Sequence, residues 1–401
     1  MTLQYTGTLD IGSKTWYDGV YDEDTAEIII VASDTLRKYS LETGSQVGSD
    51  LSLGSTGRCV ALVGASAIVG RSTSSSWSLV ELESLYESNF SVSSAVYGDG
   101  QASRAYDRVN KVALFSSSST NNLTIYDGNS FTVTNKSPDI ASNTRVCAVA
   151  FKESGRFLLA CNGGAVYEVN SNGDILKSVF YDRSPGYAAG GAASIQTMIP
   201  NLIDYYDGFV YVYQSIPEDY IVIDWTTGTV VHRANKIGTD VRTTTISASG
   251  IVLVGREDTQ SVSSHSCVYE VNPYNYGWLS NRTDLNNDIL YVSSPGGITA
   301  MGFDSASSIG WFLQETIDDL RTFTVSATSG LTETTHSSPN NEDFRLIIVD
   351  ETNGQGSLEV VVDTYTTSPR TLHLPAGRDM IEIIKVGDGV NAQWDVSRYS
   401  T

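Results

Sequence analysis

Ala148-Val149-Ala150-Phe151-Lys152-Glu153-Ser154-Gly155-Arg156-Phe157-Leu158-Leu159-Ala160 is the stretch that decides the fold. Apolar residues run to Phe151, a Lys-Glu-Ser-Gly turn reverses the chain, and a second apolar run follows at once. Neither run repeats its apolar residues at i, i+3, i+4 and i+7, so the pattern is a buried hairpin and not a helix. Directly after it, Val166-Tyr167-Glu168-Val169-Asn170-Ser171-Asn172-Gly173 reads as a third strand, a polar turn and the start of a fourth.

The same four-strand unit recurs along the chain. The later hairpin has counterparts at Lys38 to Gly44, Leu79 to Glu87, Leu123 to Gly128, Ile221 to Gly228, Val268 to Gly277 and Thr322 to Gly330. The earlier hairpin recurs around residues 20–32, 60–69, 105–115, 202–213, 245–254 and 300–313. The spacing is about 48 residues, within the period of propeller blades. A single sheet of this kind leaves both faces uncovered, so the copies must stack radially and close. The reading is therefore all-β: a seven-bladed β-propeller over residues 13–336, four antiparallel strands per blade, preceded by a strand or arm at 1–12. A two-sheet sandwich fits seven evenly spaced units poorly.

The Ala-Phe-Lys-Glu-Ser-Gly-Arg-Phe-Leu-Leu run resembles WD-repeat, quinoprotein-like and YVTN-type propeller blades. So does Phe209-Val210-Tyr211-Val212-Tyr213 with the following Ile221-Val222-Ile223-Asp224-Trp225-Thr226-Thr227-Gly228. The resemblance implies architecture and is silent on activity, because propellers host many functions.

Beyond the seventh unit, Ser337-Ser338-Pro339-Asn340-Asn341-Glu342 reads as a linker. Residues 343–401 then carry five strand candidates, near 345–349, 358–362, 371–374, 380–386 and 392–399. So short a stretch makes a marginal core alone, which points to a small β-sandwich or prism-like domain used for docking or oligomerisation. The run from Thr371-Leu372-His373-Leu374-Pro375-Ala376 to Val386, with the turn Gly387-Asp388-Gly389, resembles terminal β modules of bacteriophage tail fibres and tailspikes.

Composition narrows the function classes. Of 401 residues 40% are hydrophobic, enough to build a core. The balance of 25 Lys+Arg against 46 Asp+Glu, net −21, repels a polyphosphate backbone and argues against nucleic-acid binding. It argues equally against anchoring on anionic lipid. No apolar run approaches the roughly 20 residues needed to span a bilayer, and the start lacks a secretory leader, so no membrane insertion is expected. Cys59, Cys147, Cys161 and Cys267 sit inside apolar runs without CxxC spacing, which reads as buried thiols.

Catalytic patterns are not found. His232, His265, His336 and His373 share no metal-ligand spacing, and there is no G-x-S-x-G elbow. The acidic groups Asp22-Glu23-Asp24, Glu257-Asp258 and Asp318-Asp319 lie in turns, where such residues belong by default. Residues 281–288 lack the spacing and glycine of an EF-hand loop, and the glycine-rich run at 188–193 lacks the elements flanking a phosphate loop. No metal and no cofactor is implied.

Arg58, Arg104, Arg145 and Arg242 each stand at or near the start of an innermost strand. Four guanidinium groups there could rim one mouth of the channel and take a carboxylate or another anion; the plainer alternative is local pairing with the abundant carboxylates. The long excursions, near 181–197, 257–265 and 281–296, fall on one propeller face, and long loops on a rigid scaffold commonly bind.

The reading that results is a non-enzymatic virion structural protein, a phage tail or capsid appendage assembled in host cytoplasm. Its expected partners are other virion proteins or copies of itself, as a homo-oligomer in an assembly, with host-surface glycan as a further ligand. A cellular scaffold or lectin-like module is the first alternative, and a propeller-fold polysaccharide hydrolase or lyase the second.

Overall fold

A computed structural model describes residues 2–326, apart from 182–198, 236–240, 247–251, 258–265, 272–288 and shorter stretches, together with the strands between 344 and 400. The long excursions of the sequence and the 188–193 and 281–288 runs thus lie largely or wholly outside the described residues.

After β1 (Thr2–Asp10), the first sheet comprises β2 (Trp16–Asp22), β3 (Glu27–Ala32), β4 (Thr35–Ser40) and β5 (Leu51–Ser52). The second comprises β6 (Gly57–Val63), β7 (Ser66–Arg71), β8 (Trp77–Glu81) and β9 (Tyr86–Phe90). A 3-10 turn, Gly100–Ser103, leads into the third: β10 (Arg104–Asp107), β11 (Val112–Ser116), β12 (Leu123–Asp127) and β13 (Thr132–Lys136). The fourth is β14 (Val146–Glu153), β15 (Arg156–Cys161), β16 (Ala165–Asn170) and β17 (Ile175–Phe180). The fifth is β18 (Ile199–Tyr206), β19 (Phe209–Ile216), β20 (Asp219–Asp224) and β21 (Thr229–Asn235). The sixth is β22 (Val241–Ile246), β23 (Val252–Glu257), β24 (Ser266–Val271) and β25 (Ile289–Val292). The seventh contains β26 (Ile298–Asp304), β27 (Ile309–Gln314) and β28 (Asp319–Ser326).

Each sheet is four-stranded, and the first strand of each lies beside the first strand of the next; β26 returns to β2. The ring is a seven-bladed β-propeller. Its seventh sheet runs in the order β26, β27, β28, β1, so the chain's N-terminal strand supplies the outer position. Both ends of the repeat array therefore share one sheet. The repeat pattern instead places a fourth strand after Gly330, a stretch outside the described residues.

Period-two patterning explains why the blades stack. Ile28 and Ile30 point to the seventh blade and pack with Trp16, Trp311 and Leu313; Ile29 and Val31 point the other way, against Val60 and Leu62. Likewise Phe157 and Leu159 face the third blade, while Leu158 and Ala160 join Ile203, Val212 and Ile223 of the fifth. Burying one such side chain is worth about 2 kcal/mol. Trp311 needs glycine beside it: a Cβ on Gly302 would lie 2.6 Å from its ring, far too close for real contact. Cys59, Cys147 and Cys161 are buried thiols, and burial pushes Cys147 up to about 11. The Cys267 side chain lies outside the described residues.

The C-terminal unit, described by itself, has five strands among its described residues: β29 (Phe344–Asp350), β30 (Gly356–Val360), β31 (Arg370–Leu374), β32 (Asp379–Val386) and β33 (Gln393–Ser400). They form a three-stranded sheet, β29-β32-β33, and a two-stranded one, β30-β31.

Candidate functional site: the propeller hub

The centre of the ring is filled by the chain itself. Gly98 and Gly100 adopt φ of +77° and +65°, a region that costs glycine nothing. These two residues turn the connection between β9 and β10 inward. The 3-10 turn that follows lies next to all seven innermost strands, β2, β6, β10, β14, β18, β22 and β26, which places it on the axis. Its base is fastened at Tyr97, whose carbonyl accepts Ser103 Oγ at 2.8 Å and Ser116 Oγ at 3.1 Å.

Two polar arms extend from this plug. Gln101 reaches from the third blade to the sixth, where its Oε1 accepts the Thr244 amide at 2.9 Å and Thr243 Oγ1 at 2.8 Å. Its Nε2 donates to Thr244 Oγ1 at 3.1 Å. Thr244 Oγ1 donates in turn to Asp204 Oδ2 at 2.7 Å, and the Tyr205 amide donates to Asp204 Oδ1 at 2.8 Å. Burial raises the Asp204 carboxyl above the usual carboxylate range, more than these two donors lower it. Burial also lifts the nearby Tyr213 hydroxyl well above its ordinary value, with the Asp204 charge adding to the shift.

The second arm is Arg104. It spans the second blade and grips Asp18 of the first with both fork nitrogens, Nε to Oδ2 at 3.0 Å and an Nη to Oδ1 at 3.1 Å. The same Nη donates to the Gly19 carbonyl at 3.1 Å. Asp18 also accepts the Val60 and Gly19 amides, each at 2.9 Å, so it caps the open edge of the second blade's inner strand. Burial raises the Asp18 carboxyl, against the pull of Arg104 and of those amides. Although burial disfavours its charge, the carboxylate of Asp18 holds Arg104 above the ordinary arginine value.

The four arginines singled out from the sequence have distinct places. Arg58 and Arg242 are the bulged residues of β6 and β22, at register shifts between Gly57 and Cys59 and between Val241 and Thr243. Similar shifts open β2, β14, β18 and β26, so bulges ring the mouth, where they typically re-aim side chains. The Arg58 guanidinium lies 4.4 Å from the Tyr17 ring centre, beside Asp18, and Arg145 lies 4.7 Å over Tyr97, the residue that fastens the plug. Arg104 and Arg145 thus meet protein partners beside the plug and Arg58 meets one on the first blade's inner strand; the Arg242 side chain lies outside the described residues. Sequence reasoning did not single out Gln101, Asp18 and Asp204. The readable signal was an aspartate partway along an otherwise apolar or small-residue inner strand, in both the first and fifth blades.

A groove of about 700 Å³ lies farther out, between the end of β13 and the β16–β17 hairpin. Tyr167, Phe180, Ile140 and Ile175 line it, and Lys136 bridges to Asp174 at 2.6 Å.

No protein-family model and no curated protein matches the chain. Among solved structures it is similar to the WD40 β-propeller domain of Doa1, with a TM-score of 0.57 and 13% identity over 81% of this chain and 98% of that one. At that identity the likeness is one of fold.

Proposed function

We propose that the chain is a non-enzymatic interaction scaffold and, within that class, a virion component: a phage tail or capsid appendage that displays its propeller and docks through residues 343–401. The observation that carries the scaffold reading is the filled hub. The channel mouth that could admit a substrate holds the chain's own Gln101 and Arg104, hydrogen-bonded to other blades, so partners are left the rims and the outer strands. The virion reading draws on the resemblance of Thr371 to Val386 to phage fibre modules, a run that falls on β31 and β32. The test is native mass measurement and electron microscopy of the full chain with whatever particle it is purified from. Association with a particle in regular copies is expected; a lone monomer that cleaves polysaccharide would overturn the proposal.

The groove at β13 favours a second reading, glycan binding. Phe180 offers a half-exposed ring for stacking on a sugar, with Asp139 and Asp174 beside it to accept hydroxyls. Binding on a glycan array that disappears in Phe180→Ser is the expected result, and equal signals from both chains would dismiss it.

A further inference from the structure

On one face of the second and third blades, a fused set of turns carries large apolar side chains into solvent. Strand direction alternates within a blade, so the turns β6–β7, β8–β9, β10–β11 and β12–β13 all emerge on this face. Backbone hydrogen bonds join them into one rim: Leu82 amide to Ala65 carbonyl at 3.2 Å, Gly64 amide to Arg108 carbonyl at 3.3 Å, and Gly128 amide to Lys111 carbonyl at 2.7 Å. Arg108 Nε donates back to the Gly64 carbonyl at 3.0 Å, and Asn129 Nδ2 donates to the Asn110 carbonyl at 2.8 Å. From this rim project Tyr86, Val109 and Phe131, which are 65%, 87% and 75% exposed.

Phe131 is also strained. It sits at φ +55°, where a bulky side chain is disfavoured and glycine is not. The equivalent position of the β20–β21 turn is indeed glycine, Gly228 at φ +73°. The matching last positions of the β2–β3, β8–β9 and β10–β11 turns hold Ala26, Leu85 and Lys111 at φ +54°, +52° and +57°, so the turn type recurs with many residues and nothing in it asks for an exposed phenylalanine.

The charge around these side chains selects the partner. Glu23, Glu81 and Glu83 are exposed on the same face against the exposed Lys111 of the β10–β11 turn, while the Arg108 guanidinium is held by Asp22 at 2.7 Å and Asp24 at 2.9 Å, so the face keeps an acidic excess. An acidic rim around apolar tips complements a basic surface with an apolar centre. A second copy presenting this same face would be repelled.

Building on the scaffold reading, we infer that the turn face of blades two and three, bearing Tyr86, Val109 and Phe131, is a preformed docking surface for a basic protein segment with apolar anchors. The rim is already rigid, so binding it costs little ordering.

The experiment pans a random peptide display library on the immobilised full chain. Selected peptides are then synthesised and titrated against the parent chain and against the triple variant Tyr86→Ser/Val109→Ser/Phe131→Gly. Expected are peptides with Lys or Arg flanking aromatic or aliphatic residues, whose affinity falls about tenfold or more on the triple variant. Phe131→Gly alone should unfold at the same or a higher urea concentration than the parent, which separates lost binding from lost folding. Neutral or acidic selected peptides, no enrichment at all, or equal binding to both chains would each overturn the inference. If peptides fail yet the chain still joins a particle, this face is wrong and the scaffold reading stands. If the chain proves to be a monomeric polysaccharide-cleaving enzyme, it is the scaffold reading that falls.

Discussion

Asp18 in the first blade is fully buried and Asp204 in the fifth partly buried; both stand at the hub, and they are kept by different means. Asp18 has a cation, the Arg104 fork, and two backbone amides. Asp204 has the Thr244 hydroxyl and the Tyr205 amide, both neutral. Burial raises both carboxyls, but only at Asp18 does a full positive charge oppose it. One side of the hub is therefore an ion pair that ties three consecutive blades, and the other is a neutral hydrogen-bond chain whose terminal acid resists ionisation. The contrast separates two ways of filling a propeller's centre. A charge pair resists removal of either member, because the survivor is left charged in a dry site. A neutral chain loses only hydrogen bonds when it is cut.

Asp18→Asn should accordingly give the largest effect, a loss of about 3 kcal/mol in urea unfolding, since Arg104 stays buried with its charge unanswered. Gln101→Ala cuts the other arm and should cost about 1 to 2 kcal/mol. Hydrogen exchange sharpens the difference: the Thr244 amide, which donates to Gln101, should lose protection in Gln101→Ala and keep it in Asp18→Asn. Equal losses in the two variants, with the same exchange pattern, would mean that the plug is held as one body and that charge plays no separate part.

The blades were legible from sequence for a local reason. In Ile28-Ile29-Ile30-Val31 or Phe157-Leu158-Leu159-Ala160 every residue is buried because each blade is covered on both faces, and the polar turns between such runs mark their ends. The turns repeat a readable device too: Asp22, Asp107, Asp127 and Asp224 each accept amides two or three residues on. The hub was only half legible. Arg58, Arg104 and Arg145 stand at or near the starts of inner strands and could be singled out from that position alone. Their partners could not, because Asp18 precedes Arg104 by 86 residues and Thr244 follows Gln101 by 143. The plug reads as an ordinary Gly- and Ser-containing loop, since its role depends on seven strands that meet only after the ring closes. Ring closure by β1 was hidden for the same reason: pairing between Thr2–Asp10 and the last blade leaves no trace in either segment's local pattern.

The finest distinction between the two aspartates is their response to pH, and Asp204→Asn isolates it. With its folded-state pKa above the unfolded one, protonated Asp204 supports the fold at low pH, and that support is lost as pH rises through the folded value. At neutral pH the parent chain holds either a partly buried charge without a cation or a proton taken up at a cost. Asparagine avoids both and can still accept one of the two hydrogen bonds. The variant should match the parent near pH 4 and be the more stable of the two at pH 7, the gap opening as pH rises from the unfolded pKa toward the folded one and levelling off once Asp204 has ionised. At Asp18 the same substitution destabilises throughout that range, because Arg104 remains charged at every pH in it. A gap for Asp204→Asn that is constant with pH, or that closes as pH rises, would show that Asp204 ionises freely in the folded chain and that the two halves of the hub are electrostatically alike.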